Sequence, residues 1–190
     1  MKIGHPWVRG GLLAAWALLV AMGARAETDE HAAKLKAAYV YNFLKYAEWP
    51  RPEIAGSNAP FVFAVVGQNG MRAALMSALA GKTVAGRPIR VRTFADAAAL
   101  AVDPAPGDAL YVEVTAQPDW DTICKALAGR PVLTIAEMPD FCAAGGMLNL
   151  REQENHVRFE ANPAAVKARG LKLSAELLKL ATIVNSDKTF

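Results

Sequence analysis

The sequence predicts an α/β fold, a three-layer sandwich with a largely parallel sheet and a C-terminal antiparallel hairpin. Three observations point there. Short apolar, β-branched runs alternate with helical stretches from residue 61 to residue 142, the signature of strands joined by helical crossovers. Two period-2 segments then flank a polar turn between Gly145 and Glu160. The chain closes on two consecutive helical runs.

Taken in order, residues 1–26 read as a secretory leader. Lys2 and Arg9 form a basic front, Leu12 to Met22 is an uninterrupted apolar run, and Ala24-Arg25-Ala26 places small residues where a signal peptidase inspects them. The run is shorter than the roughly 20 residues that a spanning helix needs. Cleavage after Ala26 would leave residues 27–190 as a single exported domain; an uncleaved anchor is the alternative.

His31 to Trp49 carries helical periodicity, with Leu35, Ala38, Tyr39, Asn42, Phe43 and Tyr46 on one face, and Pro50 and Pro52 stop it. Asn42 inside that face calls for a hydrogen-bond partner or a ligand. Trp49 is either a packing plug or a binding anchor. Phe61 to Val66, running into Gly67, reads as a buried central strand. A helix over 69–80 follows, with Leu75 and Leu79 inward. Strands are expected over 87–93, 109–114 and 131–136, helices over 95–101 and 119–128, and a turn around Asp140 to Cys142. The hairpin comes next: Leu148 and Leu150 oppose Met147, Asn149 and Arg151, and Val157 and Phe159 oppose His156, Arg158 and Glu160. Residues 152–155 form its loop. Asn162 caps a helix with Pro163 at its first position, Gly170 ends it, and residues 171–184 supply the last helix.

Charge excludes one class of partner. The 190-residue chain carries a formal +3. Removing Lys2, Arg9 and Arg25 with the leader leaves 18 basic residues against 18 acidic ones, so the basic balance is no argument for nucleic acid. Two cysteines remain, Cys124 and Cys142. An exported chain with an even count permits one disulfide, worth about 3 kcal/mol for a loop of this size, or two separate buried thiols.

Chemical motifs are scarce. Gly81-Lys82-Thr83 resembles the tail of a phosphate loop, but position 76 holds Met76 where the pattern needs glycine. The Gly67 to Gly70 turn offers at most a weak anion cradle. After processing, only His31 and His156 remain, in no metal-binding spacing. Ser174 lacks a nucleophile-elbow context. No base, nucleophile and oxyanion site come together, so neither enzyme nor cofactor is expected. The polar hairpin face, with Arg151, His156, Arg158 and Glu160, is the candidate binding surface. A solubilising edge is the bland alternative.

Four segments, LKAAYVYNFLKYAEWP, GKTVAGRPIRVR, RPVLTIAEMPDFCAAGGMLNL and NHVRFEANPAAVKARGLKLSAELLKLATIV, together resemble the YfiR-like family of periplasmic proteins. The resemblance covers almost all of the processed chain. It implies a compact α/β fold, often a homodimer, that binds and represses an inner-membrane diguanylate cyclase of the YfiN type. Such repression lowers cyclic di-GMP, exopolysaccharide and biofilm. The VRFE-centred segment assigns the contact to Arg151, His156, Arg158 and Glu160. Disulfide control is a theme of family members with more cysteines, whereas this chain has two. A competing reading is a periplasmic small-molecule sensor, with its ligand at the C-terminal ends of the parallel strands near residues 67–69 and 136–140.

Overall fold

A computed structural model describes residues 29–50, 59–67, 70–103, 105–113, 117–154 and 156–186. The leader lies outside the described residues. Helix α1 occupies residues 29–45 and runs into a two-residue strand, β1 (Ala47–Glu48). There follow β2 (Phe61–Val66), α2 (Met71–Leu79), β3 (Thr83–Val84), β4 (Arg87–Phe94), α3 (Ala97–Ala101), β5 (Ala109–Val112), α4 (Gln117–Ala126) and β6 (Leu133–Ala136). The C-terminal part holds β7 (Leu148–Gln153), β8 (His156–Ala161), α5 (Pro163–Ala168), β9 (Lys172–Leu173), α6 (Ala175–Leu180) and β10 (Thr182–Ile183).

The main sheet has the order β10-β8-β7-β6-β5-β2-β4-β3. From β4 to β7 all neighbours are parallel; β7 and β8 are antiparallel, as are β3 and β4. Alternation along each strand feeds two apolar layers. Phe61, Phe63, Val65, Tyr111, Ile135, Leu148, Leu150 and Phe159 point toward α1, α2, α5 and α6. Ala64, Val66, Leu110, Val112 and Ala136 point toward α3, α4 and Phe141. The fold is the expected three-layer α/β sandwich.

Two expectations need correcting. Helix α1 stops at residue 45, four residues before Trp49, because the chain turns to pair β1 with β9. Ser174 donates its amide to the Tyr46 carbonyl beside that pair, at 2.9 Å. The inward face of α1 is also rotated. Ala37, Val40, Phe43 and Leu44 are fully buried, whereas Leu35 and Tyr46 are each 44% exposed and Asn42 is exposed. Apolar residues surround this helix, so either phase satisfies a 3.6 period and the sheet beneath selects one. The second correction is at the C-terminus. Residues 171–184 form one six-residue helix between two short strands, and β10, instead of the hairpin, makes the outer edge by pairing parallel to β8.

Local signals elsewhere match the sequence reading. The Asn162 side chain accepts from the Ala165 amide, with Pro163 at the first helical position, and α5 ends at Gly170 in a left-handed conformation. Ala85 and Gly86, both at positive φ, make the tight turn between β3 and β4.

Candidate functional site

The hairpin is set by its register. Leu150 faces Phe159 and Leu148 faces Ala161, all buried, while Phe159 stacks on Phe43 of α1 at 4.9 Å between ring centres. Burying that face leaves the other for polar side chains. Pairing continues to Gln153 opposite His156, so the strands overhang the sheet and the loop is shorter than expected. Glu154 takes φ 51°, as a two-residue reversal demands.

On the polar face three cross-strand pairs lie in a row: Asn149 with Glu160, Arg151 with Arg158, and Gln153 with His156. Asn149 is almost wholly buried and makes three side-chain hydrogen bonds. Its Oδ1 accepts from the Met138 amide at 3.0 Å, and its Nδ2 donates to the Met138 carbonyl at 2.9 Å and to Glu160 Oε2 at 3.0 Å. Glu160 Oε1 accepts from Arg151 at 3.0 Å. The amide thus clips the hairpin to the turn after β6 and holds Glu160 where it neutralises Arg151.

Arg158 is different. It stands exposed opposite Arg151, with no ion-pair partner among the described residues, and like charges directly opposite cost stability in a sheet. His156, also exposed, has Nδ1 2.7 Å from the Glu154 carbonyl oxygen. All four residues predicted as a site therefore share one face. Two of them neutralise each other, and two project toward solvent.

Sequence reasoning missed the support on the opposite side of the hairpin. Lys36 of α1 lies 2.6 Å from Glu137, just beyond β6, and 3.3 Å from Glu152 of β7. No local signal joins residues so far apart in sequence. Asn149 fits the alternation between Leu148 and Leu150, so the sequence set it on the polar face without marking it as a clip.

At the C-terminal ends of β2 and β5 a carboxylate already spans the switch point. Strand order reverses between β2 and β5, where Glu113 reaches across and accepts from the Met71 amide at the start of α2. Gly67 allows this. It sits at φ 114°, and a Cβ there would lie 2.6 Å from that of Glu113. Asn69, named as a ligand position, lies outside the described residues. A cavity of about 850 Å³ opens at the opposite ends of the strands, between Trp49, Phe61, Arg87, Pro106 and Pro131. Asp108 organises its wall, accepting from the Val62 amide and from Arg87, while its carbonyl accepts from Trp49 Nε1. Trp49 packs edge-on against Phe61 at 5.0 Å, so it serves packing.

Cys124 and Cys142 are both buried and both free thiols, where the sequence permitted a bridge. Burial pushes each up to about 12. Among the described residues no three His, Cys, Asp or Glu side chains gather as metal ligands, and no helix is long and apolar enough to cross a membrane.

The family model described as YfiR/HmsC-like matches residues 33–182, from α1 to the start of β10. The chain belongs to the YfiR/HmsC-like family. That family comprises periplasmic regulators of diguanylate cyclases. The matched span contains both layers and the complete hairpin, so the YfiR/HmsC-like assignment covers the surface bearing Arg158 as well as the core beneath it.

Proposed function

We propose that this protein is exported, loses its leader after Ala26, and acts as a homodimeric periplasmic repressor of an inner-membrane diguanylate cyclase of the YfiN type. It binds the cyclase's periplasmic domain through the polar hairpin face and needs no catalytic step. Repression lowers cyclic di-GMP and with it exopolysaccharide and biofilm output. The observation that supports the contact is Arg158, an exposed cation with no ion-pair partner among the described residues, held opposite Arg151 where the hairpin overhangs the sheet. A charged group in such a position contributes through a partner's carboxylates. Preference of ~100-fold for one cyclase state shifts its equilibrium by about 2.7 kcal/mol, within reach of a modest interface.

The test is cellular cyclic di-GMP with the gene deleted, restored, or restored as Arg158→Glu. Deletion is expected to raise the level, the wild-type gene to lower it, and a folded, exported Arg158→Glu protein to leave it high. An unchanged level on deletion, with the partner cyclase expressed, overturns the repressor reading. The cavity beside Trp49 favours a second reading, a small-molecule sensor. Saturable stabilisation of the purified protein by a periplasmic metabolite would support it.

A further inference from the structure

The opposite edge of the sheet is open. Strand β3 covers β4 only at Arg87 and Pro88, and the Ile89 amide closes on the Lys82 carbonyl at 3.0 Å. Beyond that point β4 runs to Phe94, paired on its inner side to β2 throughout. Backbone groups alternate in direction along a strand. Ile89 faces outward, and the Phe94 carbonyl faces inward, where it accepts from Gly67 at 3.0 Å. Val91 and Thr93 therefore aim their N–H and C=O groups at the outer edge, and no described residue bonds to them.

The side chains along this edge share one sign. Arg90 is exposed and has no anionic partner among the described residues. Lys82 and Lys45, both exposed, lie 5.8 Å from the Tyr41 ring and are in no ion pair among the described residues. The nearby carboxylates are already used: Asp103 is bonded to Arg92 at 2.5 Å, and Asp96 accepts from the Ala99 amide to cap α3. Two of the antiparallel registers open to a second copy bring like charges together. An antiparallel pair centred on Arg92 sets that residue against its own copy, and one centred on Val91 sets Arg90 against Arg92.

We infer that the outer edge of β4 accepts an extended, acidic segment of a partner protein as an added strand. Hydrogen bonds to Val91 and Thr93 supply the pairing, and carboxylates facing Arg90 and Lys82 supply the selectivity. The edge lies across the sheet from the hairpin, so this inference and the hairpin contact can fail separately.

The probe is an acetylated heptapeptide alternating threonine and glutamate, with a threonine–lysine peptide as counterpart, added to the full-length protein. Amide hydrogen exchange is read residue by residue. The glutamate peptide is expected to slow exchange at Val91 and Thr93 at least tenfold while the lysine peptide does not. Arg90→Glu should abolish the effect. Thr93→Pro should do so too, since it removes an outward N–H and no ladder bond. If Thr93→Pro fails to fold, Arg90→Glu carries the test alone. No slowing at millimolar peptide, or equal slowing by the lysine peptide, overturns the inference. So does protection that rises with protein concentration in the absence of peptide, which would assign the edge to a second copy.

Discussion

Replacing Asn149 by alanine removes one side chain and three hydrogen bonds. Two go to the Met138 backbone and one to the Glu160 carboxylate, and the residue is 1% exposed. The two neutral bonds are worth about 1 kcal/mol each and the charge-assisted one about 2 kcal/mol, giving a loss of about 4 kcal/mol. For a chain of this size, each kcal/mol moves the melting temperature by about 2–4 °C, so the melt should fall by roughly 10 °C. Urea titration and thermal circular dichroism measure both quantities. Asn149→Asp sharpens the test. Its oxygens accept at Met138 as before, but when ionised the group repels Glu160 and cannot donate to the Met138 carbonyl. Burial and that neighbour raise the introduced carboxyl above its unfolded value, so the destabilisation should be full near neutrality and shrink as pH falls and the group protonates. A loss below about 1 kcal/mol for Asn149→Ala, together with a pH-independent Asn149→Asp, would refute the clip.

Phe159→Ala should cost about 3–5 kcal/mol in a urea titration, since the ring is 4% exposed and packs on Phe43 and Tyr39. Cys124 and Cys142, pushed up to about 12 by burial, should react with a disulfide reagent at pH 8 at least 100-fold more slowly folded than in denaturant. Desolvation works against the charge on Lys36, but Glu137 and Glu152 outweigh it and hold the ammonium above its ordinary 10.5. The stabilisation is then complete below the unfolded value and lost as pH rises through the folded one. Wild type should accordingly melt above Lys36→Met at neutral pH, and the difference should shrink at pH values above 10.5.

What the sequence made legible was what short-range pattern controls. Phe61 to Val66, a short apolar run ending in Gly67, read as a central strand, and the alternation around Leu150 and Phe159 set which hairpin face is polar. Asn162-Pro163 announced a helix start through local chemistry. The phase of α1 was ambiguous because alanine, tyrosine, leucine and valine surround it, and the sheet decided between equivalent faces. Strands β1, β9 and β10 were unreadable for another reason. Two-residue strands carry no period of their own and exist only through distant partners, as Ala47 does opposite Leu173. The same division runs through the candidate site. Arg151, His156, Arg158 and Glu160 share a face by alternation alone, but Lys36 reaches Glu152 only after folding.

The pairing of β1 with β9 joins the end of the first helix to the start of the last, and the Val184 amide closes on the Ala161 carbonyl just beyond. A chain emerging from a ribosome, or threaded through a membrane pore, exposes α1 well before the strand that clasps it. Until residues 172–184 are out, Tyr46 and Ala47 have no mate, and β8 lacks its outer neighbour. Closure of these short pairs therefore waits on residues more than a hundred positions beyond α1, the cost that long-range pairing carries. A chain stopped short of Lys172 would lack both the partner of β1 and the strand that borders β8.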